Sequence, residues 1–438
     1  MEPGGSDSAN IAGIYTGFAH RPPNICRVFT INDARVRVRV VPVVVVAVIA
    51  AWLVGLQTAA SVIGFEGPLH SLLSDYIATP KSATVPWVGL GLAVLGLPAR
   101  NRIWTLAIAA GLDACFAGER MLRGGVLTIG NGPLIVLTGL TALVATRWHG
   151  VRRVDALRAI SFGALIILAT KMGDAWLHLT TIIRPTVWDQ YAALADHALA
   201  QPSWLMGQVV DAGGPSLQFV LHWVYIELPV AAMAVAAYQL RNVVTAGWPQ
   251  HFLIRTFLVL GLIGPVIYVL FPVVGPVFAF PDHWPSIAVP TELVPQPMPF
   301  NTETPRNCMP SMHTAWALAV FLHSRNGPRW LRIGGALWLA CTIVATLGFG
   351  YHYGIDLVAG AVLCLSVEAA LTRRPGLAAA GTAVLVSLLL CCRYLSDWMA
   401  RYPEFFGPLM IGALVAMWAG FVSTSDTQRA EITLRLSK

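Results

Sequence analysis

The sequence predicts an all-α, polytopic membrane helix bundle of about twelve spans. Three observations predict it. Of 438 residues, 56% are hydrophobic and only 12% charged, about half the charged share of soluble domains, and the mean hydropathy is +0.65. Apolar runs long enough to cross a bilayer recur along the whole chain. The basic residues gather in short runs between them, as cytoplasmic loops do. A soluble globular enzyme is thereby excluded. The net charge of +7 reflects membrane orientation, and no nucleic-acid partner is expected.

Residues 1–39 read as a polar cytoplasmic segment ending in Arg35, Arg37 and Arg39, directly before the first apolar run. That order predicts a signal anchor with its N-terminus inside. The expected spans are 40–63, 84–99, 103–118, 130–147, 157–178, 217–240, 252–271, 309–324, 331–350, 354–372, 377–393 and 406–423. Even-numbered exits are basic, at Arg100 and Arg102, Arg147 to Arg158, Arg241 and Arg255, Arg325 to Arg332, and Arg373 with Arg374. The long odd-numbered loops, 179–216 and 272–308, carry only Arg184 and Arg306. Both termini are therefore expected in the cytoplasm of a multi-pass cell-membrane protein. The chain divides into a four-span accessory region at 40–150, a six-span core at 155–372, two further spans at 376–423 and a cytoplasmic tail at 424–438. None of the seven Cys forms a C-x-x-C pair, so neither zinc nor a disulfide framework is expected.

Chemistry concentrates in two stretches. In NTETPRNCMPSMHTAWALAV, residues 301–320, Pro310 suits a helix start and Ser311 its first turn. His313 then sits at the positive end of a helix dipole, where a phosphate is favoured. In GFGYHYGIDLVAG, residues 348–360, His352 and Asp356 share a helix face at i, i+4. A carboxylate there holds one imidazole nitrogen as N–H and leaves the other as a nucleophile. The 39 positions between the two His, less a basic turn near 325–330, make two arms of about 25–30 Å each. Both His return to one face, the outer one.

P-S-M-H at 310–313 and H-Y-G-I-D at 352–356 resemble the second and third motifs of the type 2 phosphatidic acid phosphatase superfamily. The H-Y-x-x-D form is similar to its lipid phosphotransferase branch, which includes inositol phosphorylceramide and sphingomyelin synthases. The resemblance implies a phosphohistidine mechanism, with His352 as nucleophile, Asp356 as its orienter and His313 as acid and base. It covers residues 155–372. The family's first motif, with its Lys and Arg-Pro, has no counterpart. Thr346 stands where the phosphatase form of the third motif carries Arg, and Val274, in FPVVGP at 271–276, stands where related chains place another.

Arg306, with Asn307 as a neutral donor, is the expected replacement clamp for phosphate. Ser311, Tyr351, Tyr353 and Glu227 are placed on the substrate side, although interfacial tyrosines commonly belong to the aromatic belt. Lys171 and Asp174, at i, i+3, are expected to neutralise each other. No metal or other cofactor is expected, since Arg and imidazolium supply the positive charge. The partners are a membrane lipid substrate and a polar or lipid hydroxyl acceptor. Hydrolysis at the same site is the alternative. A polyprenyl-phosphate glycosyltransferase, using Glu66 and Asp75, and a twelve-span transporter are the competing classes.

Overall fold

The computed structural model of the chain describes residues 31–286, 293–298 and 304–436. Residues 1–30 of the expected cytoplasmic segment, parts of the expected outer loop 272–308 and the last two residues of the tail lie outside the described residues. The chain divides into two units, Met1–Trp52 and Leu53–Lys438.

The described residues are almost wholly helical, with one two-residue strand pair, Thr186–Val187 antiparallel to Gln296–Pro297. All twelve expected stretches are helical. Seven helices among the described residues are long and apolar enough to cross a membrane. An eighth is the pair Gly214–Ile226 and Leu228–Ala246, bent by 53°. The count by length and composition is thus lower than twelve. Thr84–Leu95, Asn131–Arg147 and Met312–Ser324 are too short, and Ala99–Leu122 is broken up by Arg100, Arg102, Asp113, Glu119 and Arg120.

Nearer the N-terminus, Thr84–Leu95 crosses Gly150–Ile183 closely. A Cβ on Gly163 would stand 2.1 Å from the Gly89 carbonyl oxygen, and one on Gly89 2.9 Å from that of Gly163. Two glycines let the backbones touch, as membrane helices commonly arrange. The polar groups buried here find partners. Asp113 accepts the N–H groups of Gly130 and Gly132 and the Trp87 indole N–H. Lys171 pairs with Asp75 and donates to Ser71 at 3.1 Å, reaching across to helix Pro68–Ile77 instead of along its own helix to Asp174.

The core is organised around Gly354–Leu371, which is buried over most of its length. Met312–Ser324, Leu253–Leu270, Pro375–Tyr394 and Pro403–Leu436 are among the helices around it. Met312–Ser324 and Arg329–Gly348 form a hairpin, with Gly335 packed on Ser324. Arms of 13 and 20 residues run about 20 and 30 Å. The hairpin returns the 352 segment to the end where Ser311 begins.

Candidate active site

Ser311 caps Met312–Ser324, its hydroxyl accepting the Thr314 N–H at 3.3 Å, which satisfies one of the donors a helix start leaves open. The Ser311 N–H donates to the Asp356 carbonyl at 3.0 Å. Gly360 makes this approach possible, because a Cβ there would stand 2.3 Å from the Ser311 carbonyl oxygen. One contact therefore joins the P-S-M-H and H-Y-G-I-D segments.

His352 is buried, 3% exposed. Its Nδ1 lies 2.8 Å from the Cys308 carbonyl oxygen and 3.7 Å from Asp356 Oδ2. A carbonyl only accepts, so Nδ1 carries the proton and Nε2 keeps its lone pair. Burial pushes the imidazole down to about 4, against the pull of the carbonyl bond, so His352 is neutral near pH 7. The i, i+4 pair exists, but the hydrogen bond that sets the tautomer goes to backbone.

Asp356 Oδ2 accepts from the Tyr353 N–H at 2.7 Å and from the Cys308 thiol at 2.6 Å. Burial pushes that thiol up, which keeps it a donor. Cys308, His352 and Asp356 place potential ligand atoms within 4.8 Å of one another. With Nδ1 on a carbonyl and the sulfur protonated, the trio reads as a hydrogen-bonded set and a poor metal site.

His313 stacks on Tyr225, with ring centroids 3.8 Å apart and planes at 19°, and His352 is among its electrostatic neighbours. Tyr351 lies 5.3 Å from Tyr225 and 6.0 Å from Phe278, centroid to centroid. These rings form an aromatic wall beside the imidazoles. Tyr353 is fully buried and donates its hydroxyl to Asp189 at 3.0 Å, so it braces the site from behind.

The remaining expected residues lie differently. Arg306 is 0% exposed. Its guanidinium donates to the carbonyls of Thr304 at 2.7 Å, Met298 at 2.9 Å and Arg184 at 3.3 Å. These bonds tie the loop together and turn the fork away from an open clamp. Asn307 is half-buried beside it. Glu227 sits at the break between the bent helices and accepts from Thr84 at 2.7 Å. Thr346 returns its hydroxyl to its own helix, to the Thr342 carbonyl at 2.8 Å, and Val274 is buried.

Two carboxylates carry more of the site than sequence reasoning assigned them. Asp189 accepts from the N–H groups of Val274 and Gly275 and from Tyr353. Asp196 accepts the Ile355 N–H at 2.9 Å. Burial pushes them up to about 7 and about 8 respectively. They fix the FPVVGP segment and the start of Gly354–Leu371. Neither lies at a motif spacing from the two His, so nothing in the sequence marks them. Gly275, at φ +104°, is required where its Cα approaches the Tyr351 carbonyl, 2.5 Å from a built Cβ.

Residues 195–370, which contain both His segments, match the family model of the PAP2 superfamily. This part of the chain is a PAP2 domain. The PAP2 domain makes the protein an enzyme of the lipid phosphatase and phosphotransferase type embedded in a membrane. Residues 40–179 match a second model, a domain of unknown function, DUF5933. No curated protein and no solved structure matches the chain.

Proposed function

We propose that the PAP2 domain moves a phosphoryl-linked headgroup from a lipid donor to a hydroxyl acceptor by double displacement at the outer membrane face. The observation that carries this reading is the His352 Nδ1 bond to the Cys308 carbonyl, which leaves Nε2 neutral and unprotonated, the form a nucleophile needs. Nε2 attacks phosphorus in line, the P–O bond to the donor breaks, and His313 protonates the departing alkoxide. His313 then takes the proton of the acceptor hydroxyl, whose oxygen attacks the phosphohistidine and restores His352.

Asp356 lies 3.7 Å from Nδ1 and stabilises the positive charge that builds on the ring through space. The helix start at Ser311 favours the phosphate. Arg306 acts by holding the 298–308 loop, and hence the Cys308 carbonyl, in place. Asn307 and the aromatic wall of Tyr225 and Tyr351 face the bound headgroup. Thr346, where the phosphatase form carries Arg, and the missing first-motif cations favour transfer over hydrolysis. The outer face is supported by the basic residues Arg325, Arg329, Arg332, Arg373 and Arg374, which gather at the opposite helix ends.

The test is product analysis with purified protein and a labelled phospholipid donor, with and without lipid hydroxyl acceptors. Transfer product exceeding free headgroup phosphate supports the reading. Free phosphate product alone, unchanged by acceptor, makes the enzyme a phosphatase.

A further inference from the structure

The same helices carry a second imidazole–carboxylate cluster at their other end. Glu368 closes Gly354–Leu371, His323 closes Met312–Ser324, and His251 precedes Leu253–Leu270. His323 is ten positions from His313, about 15 Å along a helix, so the cluster is separate from the chemistry at His352. Glu368 is 2% exposed. Its Oε1 faces His323 Nε2 at 2.8 Å and its Oε2 faces His251 Nε2 at 2.9 Å. The ligand atoms of the three residues all lie within 4.8 Å of one another.

We propose that His251, His323 and Glu368 form a divalent-metal site, best matched by zinc, that ties three helices together at the end away from His313 and His352. Two imidazoles and one carboxylate are a known zinc set, with metal–ligand distances of about 2.0–2.2 Å. Donor atoms on such a tetrahedron stand about 3.3 Å apart, so each imidazole needs to draw back from its carboxylate oxygen by only about half an ångström. A dication also offsets the cost of a carboxylate held out of water. His251, with 19% of its side chain exposed, gives the ion a way in and leaves room for water as fourth ligand.

Outer partners stand beside two of the three ligands, Glu368 and His323, while the buried His251 Nδ1 has none. Thr256 donates to Glu368 Oε1 at 2.6 Å. Gln239 faces His323 Nδ1 with its amide nitrogen at 2.8 Å, while its oxygen accepts the Leu253 N–H at 3.0 Å. That arrangement places the His323 proton on Nε2, toward Glu368. Zinc binding moves this proton to Nδ1 and turns the Gln239 amide so that its oxygen accepts from Nδ1. A glutamate at 239 accepts from both Nδ1–H and the Leu253 N–H without turning.

The site is independent of the phosphotransfer chemistry, and metal content reads it directly. Full-length protein in detergent, stripped with a chelator and titrated with zinc, should retain one zinc per chain and gain thermal stability. His251→Ala, at the partly exposed ligand, should lose both. His352→Ala should keep both, and Gln239→Glu should bind zinc tenfold or more tightly. X-ray absorption of the loaded protein should show two imidazoles. Absence of retained zinc and of a stability gain in the wild type overturns the site. Zinc retained by His251→Ala but lost in His352→Ala overturns it too, by placing the ion on Cys308, His352 and Asp356. No gain in Gln239→Glu overturns coordination through His323 Nε2.

Discussion

The two ends of the Met312–Ser324 and Gly354–Leu371 pair use the same residue types to opposite effect. At the Ser311 end, the carboxylate of Asp356 is held by the Tyr353 N–H and the Cys308 thiol, and His352 leans on a backbone carbonyl. One imidazole nitrogen is left unbonded for chemistry. At the Glu368 end, both carboxylate oxygens meet imidazoles, and Thr256 adds a third donor. Both imidazoles turn Nε2 to the carboxylate and so join helices, while His323 Nδ1 meets Gln239 and the buried His251 Nδ1 has no hydrogen-bond partner. Reactivity of a buried imidazole is therefore decided by what occupies its partner groups, and not by the presence of a His–carboxylate pair.

The sharpest way to break this comparison is to remove the imidazoles in turn. His352→Ala should abolish turnover, a loss of about 10³-fold or more, since no covalent intermediate forms. His313→Ala should lose about 10²–10⁴-fold with an ordinary lipid alkoxide and much less with an acidic phenol leaving group. Steady-state rates on paired donors measure both. A His352→Ala enzyme near the wild-type rate ends the phosphohistidine route.

Next in size is the contact that joins the two motifs. Gly360→Ala places a Cβ against the Ser311 carbonyl, where no side chain can yield. Overpacking of this kind costs about 1–3 kcal/mol, and thermal melts in detergent should show it. An unchanged melting temperature means the two helices have room to separate.

The smallest effect is on pH dependence. A neutral His352 is needed for attack, and burial puts its protonation near 4. As pH falls, the rate limb assigned to the nucleophile should drop through about 4, well below the value near 6.5 of a solvated imidazole. A limb near 6.5 that disappears in His352→Ala means the ring is hydrated and its charged form is not penalised.

Much of this was legible in sequence. Long apolar runs gave the helices, because a membrane span must satisfy its backbone internally. The motif pair pointed to His313, His352 and Asp356, which the fold brings to one end of the helix pair, with His352 just before the helix that carries Asp356. A count by length and composition falls below twelve at helices such as Met312–Ser324, which is short and mostly buried among others. The tautomer-setting carbonyl of Cys308, the braces Asp189 and Asp196, and the Glu368 cluster were not legible. Their partners lie up to 164 positions away, and backbone acceptors leave no mark in residue identity. Arg306 misled for the same reason, since a cation near a motif says nothing about which carbonyls surround it.

The central claim is that His352 Nε2 carries the phosphoryl group. Its most direct test is to mix purified enzyme with a phosphorus-labelled lipid donor in the absence of acceptor, quench in base, and map the label by mass spectrometry. An acid-labile phosphate on His352, discharged on adding a hydroxyl acceptor and missing from His352→Ala, is the predicted result. Turnover with no labelled protein at any time point, or label on another residue that survives in His352→Ala, contradicts it.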